Sequence, residues 1–185
     1  MHAMDDTTIL ERIRADREEG FNALVEKYRD RVSRLCMSFM RDEDEAMDVA
    51  QDVFIKLYLK IGAFRKESRL STWIYRIAVN ACLDALRAKK KRDCDSLDNT
   101  AMPADNRAAG DRREIAEAVR SAINRLPVNY RAVIILKEIE GRSYRDIAEI
   151  LACRIGTVES RLFRARGMLR KFLEPLLDGE VIDEL

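Results

Sequence analysis

Apolar positions recur at helical spacing along most of the chain. Between Thr8 and Glu19, Ile9, Leu10 and Ile13 share one face and predict a short amphipathic helix, which Gly20 is placed to end. Phe21, Leu24, Val25, Tyr28, Val32, Leu35, Cys36 and Phe39 then predict a core helix running to Met40. The acidic stretch 42–48 opens a third helix, where carboxylates complement the positive end of the macrodipole. Its inward stripe reads Ala46, Val49, Ala50, Val53, Phe54, Leu57, Tyr58 and Ile61. Residues 62–70 (GAFRKESRL) read as a basic loop, and Ser71 or Thr72 as the cap of a long helix ending near Arg92. Residues 93–111 hold five aspartates and one base without periodicity, and predict a flexible linker. Ile115, Val119, Ala122, Ile123 and Leu126 resume helix. Pro127 suits the first turn of another, running to Glu140.

Residues 141–172 predict two helices joined by a tight corner. Ser143 and Asp146 form an S-x-x-D capping box, and Ile147, Ala148, Ile150 and Leu151 an apolar face. Cys153 to Gly156 reads as the corner, with glycine there for its backbone freedom. Val158, Leu162, Ala165, Leu169 and Phe172 make one buried stripe. Glu159, Ser160, Phe163, Arg164, Gly167, Arg170 and Lys171 point away from it, with Arg161 and Arg166 on the flanks. From Arg154 to Phe172 there are six basic residues and one acidic. Such a pair is either a helix-turn-helix for the DNA major groove or an ordinary corner with a solvated basic face.

Two further surfaces stand out. On the third helix, Asp48, Gln51 and Asp52 surround Ile55 and Leu59 opposite the core stripe. Either a neighbouring helix covers the two aliphatics, or they centre a docking patch with an acidic rim. On the long helix, Trp73, Arg76, Asn80, Asp84, Arg87 and Lys91 lie on one line. That seam offers phosphate neutralisation, base-edge hydrogen bonding and stacking to a nucleic acid. Alternatively it is the wet edge of a buried helix, with Trp73 in the core. The run RAKKKR at 87–92 repels itself unless a polyanion is near.

Composition narrows the class. With 47% hydrophobic and 36% charged residues, seven glycines and three prolines, the 185-residue chain reads as all-α and soluble. Net charge is +1 but segregated: 87–92 and 154–172 are basic, while 42–48 and the tail beyond Phe172 are acidic. Cys36, Cys82, Cys94 and Cys153 are scattered and His2 is the lone histidine, so no metal site is expected. Scattered thiols suit a reducing cytoplasm, and no signal peptide or long apolar run appears. With no nucleophile–base pair or phosphate-cradling glycine loop, an enzyme with a cofactor or small-molecule substrate is not expected.

The succession DVAQDVFIKLY, AFRKES and STWIYRIAVNACLDALRAKKKR resembles region 2 of the extracytoplasmic-function sigma factors. LPVNYRAVIILKEIEGRSYRDIAEILACRIGTVESRLFRAR is similar to their region 4. The resemblance covers roughly residues 20–172. It implies two small helical domains, 1–92 and 112–185, joined by the linker 93–111, the second carrying the helix-turn-helix and an acidic tail. It implies that Asp48, Gln51, Asp52, Ile55 and Leu59 meet the β′ clamp helices of core RNA polymerase, with the β flap a further contact. Loop 63–71, with Arg65, Lys66 and Ser68, and Asn80 fall where family members capture an unstacked base of the −10 element; Trp73 lies in the same −10 set, and Arg76, Arg87 and Lys91 fall near the promoter backbone. Glu159, Ser160, Arg161, Phe163, Arg164, Arg166 and Lys171 fall on the helix that reads the −35 element, with Glu159 departing from the usual base. Promoter DNA and an anti-sigma factor are the other implied partners. The main rival is a stand-alone helix-turn-helix regulator, for which no dimerisation helix is evident; an RNA-binding adaptor leaves the helix-turn-helix unexplained.

Overall fold

The computed structural model describes residues 4–65, 67–95 and 111–177, and every regular element among them is helical. The helices fall into two compact units, one built mainly from the first four and one from the rest. Lys66, most of the predicted linker and the tail beyond Leu177 lie outside the described residues.

In the first unit, α1 (Asp6–Ala15) is opened by Asp5, whose carboxylate accepts from the amides of Thr7 at 2.6 Å and Thr8 at 2.9 Å. Those amide hydrogen bonds, Thr8's foremost, hold the Asp5 carboxyl below its ordinary range. Helix α1 stops at Ala15 and α2 (Arg17–Phe39) starts two residues later, so the predicted break at Gly20 is displaced. Asp16 makes the break at both ends. Its amide donates to the Arg12 carbonyl at 2.7 Å, and its carboxylate accepts from Glu18 N and Glu19 N at 2.9 and 3.1 Å. Gly20 lies buried in the first turn of α2, where a Cβ would stand 2.2 Å from Ile13 N and 2.6 Å from the Arg12 carbonyl carbon. The glycine permits a close helix crossing, not a left-handed cap. Asp6 pins the other end of α1, accepting from Lys27 Nζ and Tyr28 Oη at 2.7 Å each.

Helix α3 (Glu43–Lys60) is capped by Asp42 and followed by a 3-10 turn, Ile61–Ala63. Its buried stripe is narrower than the periodicity predicts: Ala46, Ala50, Val53 and Leu57 are buried, Val49 and Phe54 half-buried, and Tyr58 exposed. Tyr58 lies at the margin of the stripe, its ring edge-on to Phe21 with centroids 5.0 Å apart. Arg17 Nη2 donates to the Tyr58 carbonyl at 2.5 Å while its guanidinium lies 4.5 Å over the ring. A cation there satisfies a terminal carbonyl and complements the helix dipole.

Helix α4 (Leu70–Asp95) starts before the predicted caps. Ser71 and Thr72 lie inside its first turn, and Trp73 N bonds to the Arg69 carbonyl at 3.1 Å. Leu70 and Thr72 are buried, so the start is set by burial of Leu70. Cys36 and Cys82 meet in the core with sulfurs 3.8 Å apart. The hydrogen bond to Cys36 and then burial push the Cys82 thiol up, leaving it protonated and inert.

The second unit comprises α5 (Asp111–Arg125), α6 (Val128–Ile134), a π turn at Ile135–Ile139, α7 (Tyr144–Ile150) and α8 (Ile155–Leu177). Pro127 is the N-cap of α6, one position before the predicted first turn. The helix expected to reach Glu140 changes to π geometry at Ile135, and Gly141 follows with φ +63°. Residues 131–136 are all buried, and the Arg131 guanidinium donates to the carbonyls of Asn124 and Leu126 at the end of α5. Val158, Leu162 and Ala165 of α8 complete this core, with Leu169 and Phe172 half-buried.

Candidate nucleic-acid interface

The capping box forms as expected, Asp146 N donating to Ser143 Oγ at 3.1 Å and Ser143 N to Asp146 Oδ2 at 3.4 Å. Cys153 N bonds to the Ala148 carbonyl at 3.0 Å and closes α7. The left-handed residue of the corner is Ala152, φ +49°, rather than the predicted Gly156, which lies in the first turn of α8. The sharp change of direction comes one residue before Cys153, so Gly156 carries no conformational requirement of that kind.

Burial of Val158, Leu162 and Ala165 fixes the rotation of α8 and turns the opposite face outward. Glu159, Ser160, Arg164, Arg166 and Lys171 are exposed, and Arg161 is half-buried. Phe163 is 80% exposed, an unusual position for a large apolar ring and a ready contact for a thymine methyl or a sugar. Arg166 donates to Glu138 Oε1 from Nη2 at 2.7 Å and from Nε at 3.2 Å. That hydrogen bond raises the Arg166 pKa further above its ordinary value. Glu138 is a participant that helical periodicity missed, because a regular helix keeps it on the buried side.

Helix α4 carries the predicted seam. Asn80, Asp84, Arg87 and Lys91 are exposed, and Trp73 and Arg76 half-buried. Trp73 packs against Phe64, ring centroids 5.2 Å apart, which gives it a structural contact on one side. In the loop, Arg65 is exposed and Ser68 half-buried, while Lys66 lies outside the described residues.

On α3, Asp48, Gln51 and Asp52 are exposed, and so are Ile55 (58%) and Leu59 (70%). Neither aliphatic is covered by the described part of the chain. Met47, 53% exposed, extends the row. It precedes Gln51, Ile55 and Leu59 at steps of four, a spacing that could have revealed it. The exposed Tyr58 borders the same patch.

A family model described as Sigma-70 region 2 matches residues 24–92, and one described as Sigma-70, region 4 matches residues 116–169. An RNA polymerase sigma-H factor of Pseudomonas aeruginosa is 40% identical over 93% of this chain and 95% of its own length. An ECF RNA polymerase sigma-E factor of Haemophilus influenzae is 37% identical over 94% and 98%. Among solved structures, the sigma factor RpoE of Bartonella quintana, in complex with the anti-sigma factor NepR, covers 83% of this chain and 96% of its own (TM-score 0.64, 28% identity). CnrH, in complex with the cytosolic domain of CnrY, covers 95% and 99% (TM-score 0.67, 26% identity). Both regions match in the expected order, and the likeness to curated relatives runs nearly end to end; the chain therefore belongs to the sigma-70 family, as an extracytoplasmic-function sigma factor.

Proposed function

We propose that this alternative sigma factor, which directs promoter-specific transcription initiation, divides the work among three helix faces. The exposed face of α3 docks on the β′ clamp helices of core RNA polymerase through Asp48, Gln51, Asp52, Ile55 and Leu59. The α4 seam and its preceding loop handle the −10 element. The Asn80 amide, donor and acceptor at once, holds an extruded base whose unstacking costs a few kcal/mol. Arg65, Lys66, Ser68, Trp73, Arg76, Arg87 and Lys91 supply phosphate and stacking contacts there. The outward face of α8 reads the −35 element in duplex form. The polymerase supplies the chemistry, and the β flap a second contact.

The observation that carries the docking assignment is the exposure of Ile55 and Leu59 within an acidic rim. Interfaces of this kind draw affinity from a small apolar centre, while the surrounding charges set orientation and association rate. One solved relative was captured with the anti-sigma factor NepR and the other with the cytosolic domain of CnrY, which supports an anti-sigma partner for this chain. A cytoplasmic location follows from that role, and no described helix is long and apolar enough to cross a membrane. Asp52→Lys in the full chain is expected to preserve helical content and stability to within about 0.5 kcal/mol. It is expected to abolish co-purification with core polymerase. Wild-type recovery of core with this variant removes α3 as the docking face.

A further inference from the structure

Five bases lie on α8 beyond its first turn: Arg161, Arg164, Arg166, Arg170 and Lys171. Among the described residues, Arg166 is the one of these in an ion pair with a carboxylate. Its partner, Glu138, is 28 residues away and sits in the π turn. In an unbroken α-helix Glu138 falls two turns after buried Arg131, on the same face. A π turn takes about one extra residue and shifts the phase, turning Glu138 to the margin of the fold. There it meets Arg166, with side-chain exposures of 45% and 54% respectively.

Exposed pairs of this kind add little to stability, so holding the fold together is a weak account of the arrangement. Its electrostatic effect on DNA is larger. A free arginine on a DNA-facing helix binds any phosphate, releases a counterion and strengthens promoter and non-promoter binding alike. An arginine already neutralised by a carboxylate does neither. We propose that Glu138 is a specificity-determining positioning residue that acts through Arg166: it masks that charge against arbitrary phosphates and holds the guanidinium in one place beside the reading face. The inference rests on the assignment of α8 to the −35 element. Glu138 itself need not touch DNA.

The test uses holoenzyme assembled from core polymerase and the full chain, with promoter and non-promoter duplexes titrated over a range of salt. Glu138→Gln is expected to steepen the log-affinity against log-salt slope for non-promoter DNA by about one. That corresponds to a roughly three- to fourfold greater loss of affinity between about 50 and 200 mM salt. Preference for promoter over non-promoter DNA is expected to fall several-fold, because the freed charge strengthens binding to any sequence alike while promoter binding also loses the fixed placement of the guanidinium. Adding Arg166→Gln to Glu138→Gln is expected to return the slope to the wild-type value, since the unmasked charge is then gone. A merely structural pair leaves both slope and preference unchanged. A wild-type slope in Glu138→Gln, an undiminished preference, or a steeper slope that survives in the double variant each overturns the proposal. Arg164→Ala holoenzyme serves as the control on the underlying assignment. If that variant keeps wild-type promoter preference, the −35 reading fails. If it loses preference while Glu138→Gln behaves as wild type, only the masking role fails.

Discussion

Arg164 and Arg166 are two residues apart on α8 and differ in kind. Arg164 is exposed on the outward face, whereas Arg166 is bound to Glu138. Replacing Arg164 by Ala is expected to weaken promoter binding by about 1–3 kcal/mol if it holds a base edge bidentately, and to relax sequence preference at one position of the −35 element. Transcription from a panel of single-base −35 variants measures this. Unchanged preference at every position removes Arg164 from the reading set. Sequence spacing put Arg164 on the outward face of this helix and Arg166 on its flank, and the S-x-x-D box formed between the residues it named. The Glu138 partnership was illegible because it crosses 28 residues and depends on π geometry. Likewise Cys36 and Cys82 read as unrelated thiols, yet they touch in the core. Sequence separation carries no information about such a meeting.

At the scale of elements, the approach of α1 to α2 is set by Gly20. A Cβ there meets backbone rather than a flexible side chain, so α1 has to move. Such overpacking costs about 1–3 kcal/mol, partly offset by up to about 1 kcal/mol of better helix propensity in alanine. Gly20→Ala is therefore expected to lower stability by about 1–2 kcal/mol, readable as a lower midpoint in denaturant unfolding. A midpoint at or above wild type shows that α1 slides aside freely. Helix existence was legible throughout, and most buried faces were, because the apolar stripes are long and regular; Tyr58, Ile115 and Val119 are exposed despite their helical spacing. Helix ends were less so. Gly20, Ser71 and Gly156 looked like caps or corners from their residue types, but Asp16, Arg69 and Ala152 hold those places. Side-chain preference at an end amounts to about 1 kcal/mol, and packing of a buried neighbour such as Leu70 overrides it.

For the whole molecule, the groups pushed up most clearly lie in the first unit. The phenol of Tyr28 is raised well above its ordinary value by burial and by its bond to Asp6, and the Cys82 thiol by its bond to Cys36 and by burial. Both stay protonated in the folded chain while the unfolded chain ionises. Their contribution is thus fully present at neutral pH and is lost from about pH 8.5 upward for the thiol and about pH 10 for the phenol. Calorimetry of the full chain between about pH 7.5 and 10.5 is expected to show a transition that falls with rising pH. Tyr28→Phe together with Cys82→Ala is expected to flatten that fall, and an unchanged slope in the double variant assigns the effect to other groups. The sequence by itself determined an all-helical fold class, the faces most of the helices bury, and a family signature spread over two regions. Those follow from local periodicity and from motif order, both of which survive without knowledge of packing. Only the tertiary structure decided that Ile55 and Leu59 stay uncovered, that Gly20 serves a helix crossing, and that Arg166 is neutralised by Glu138. Each of these turns on which distant surfaces meet within a unit, and burial and electrostatics act through that proximity whatever the distance along the chain.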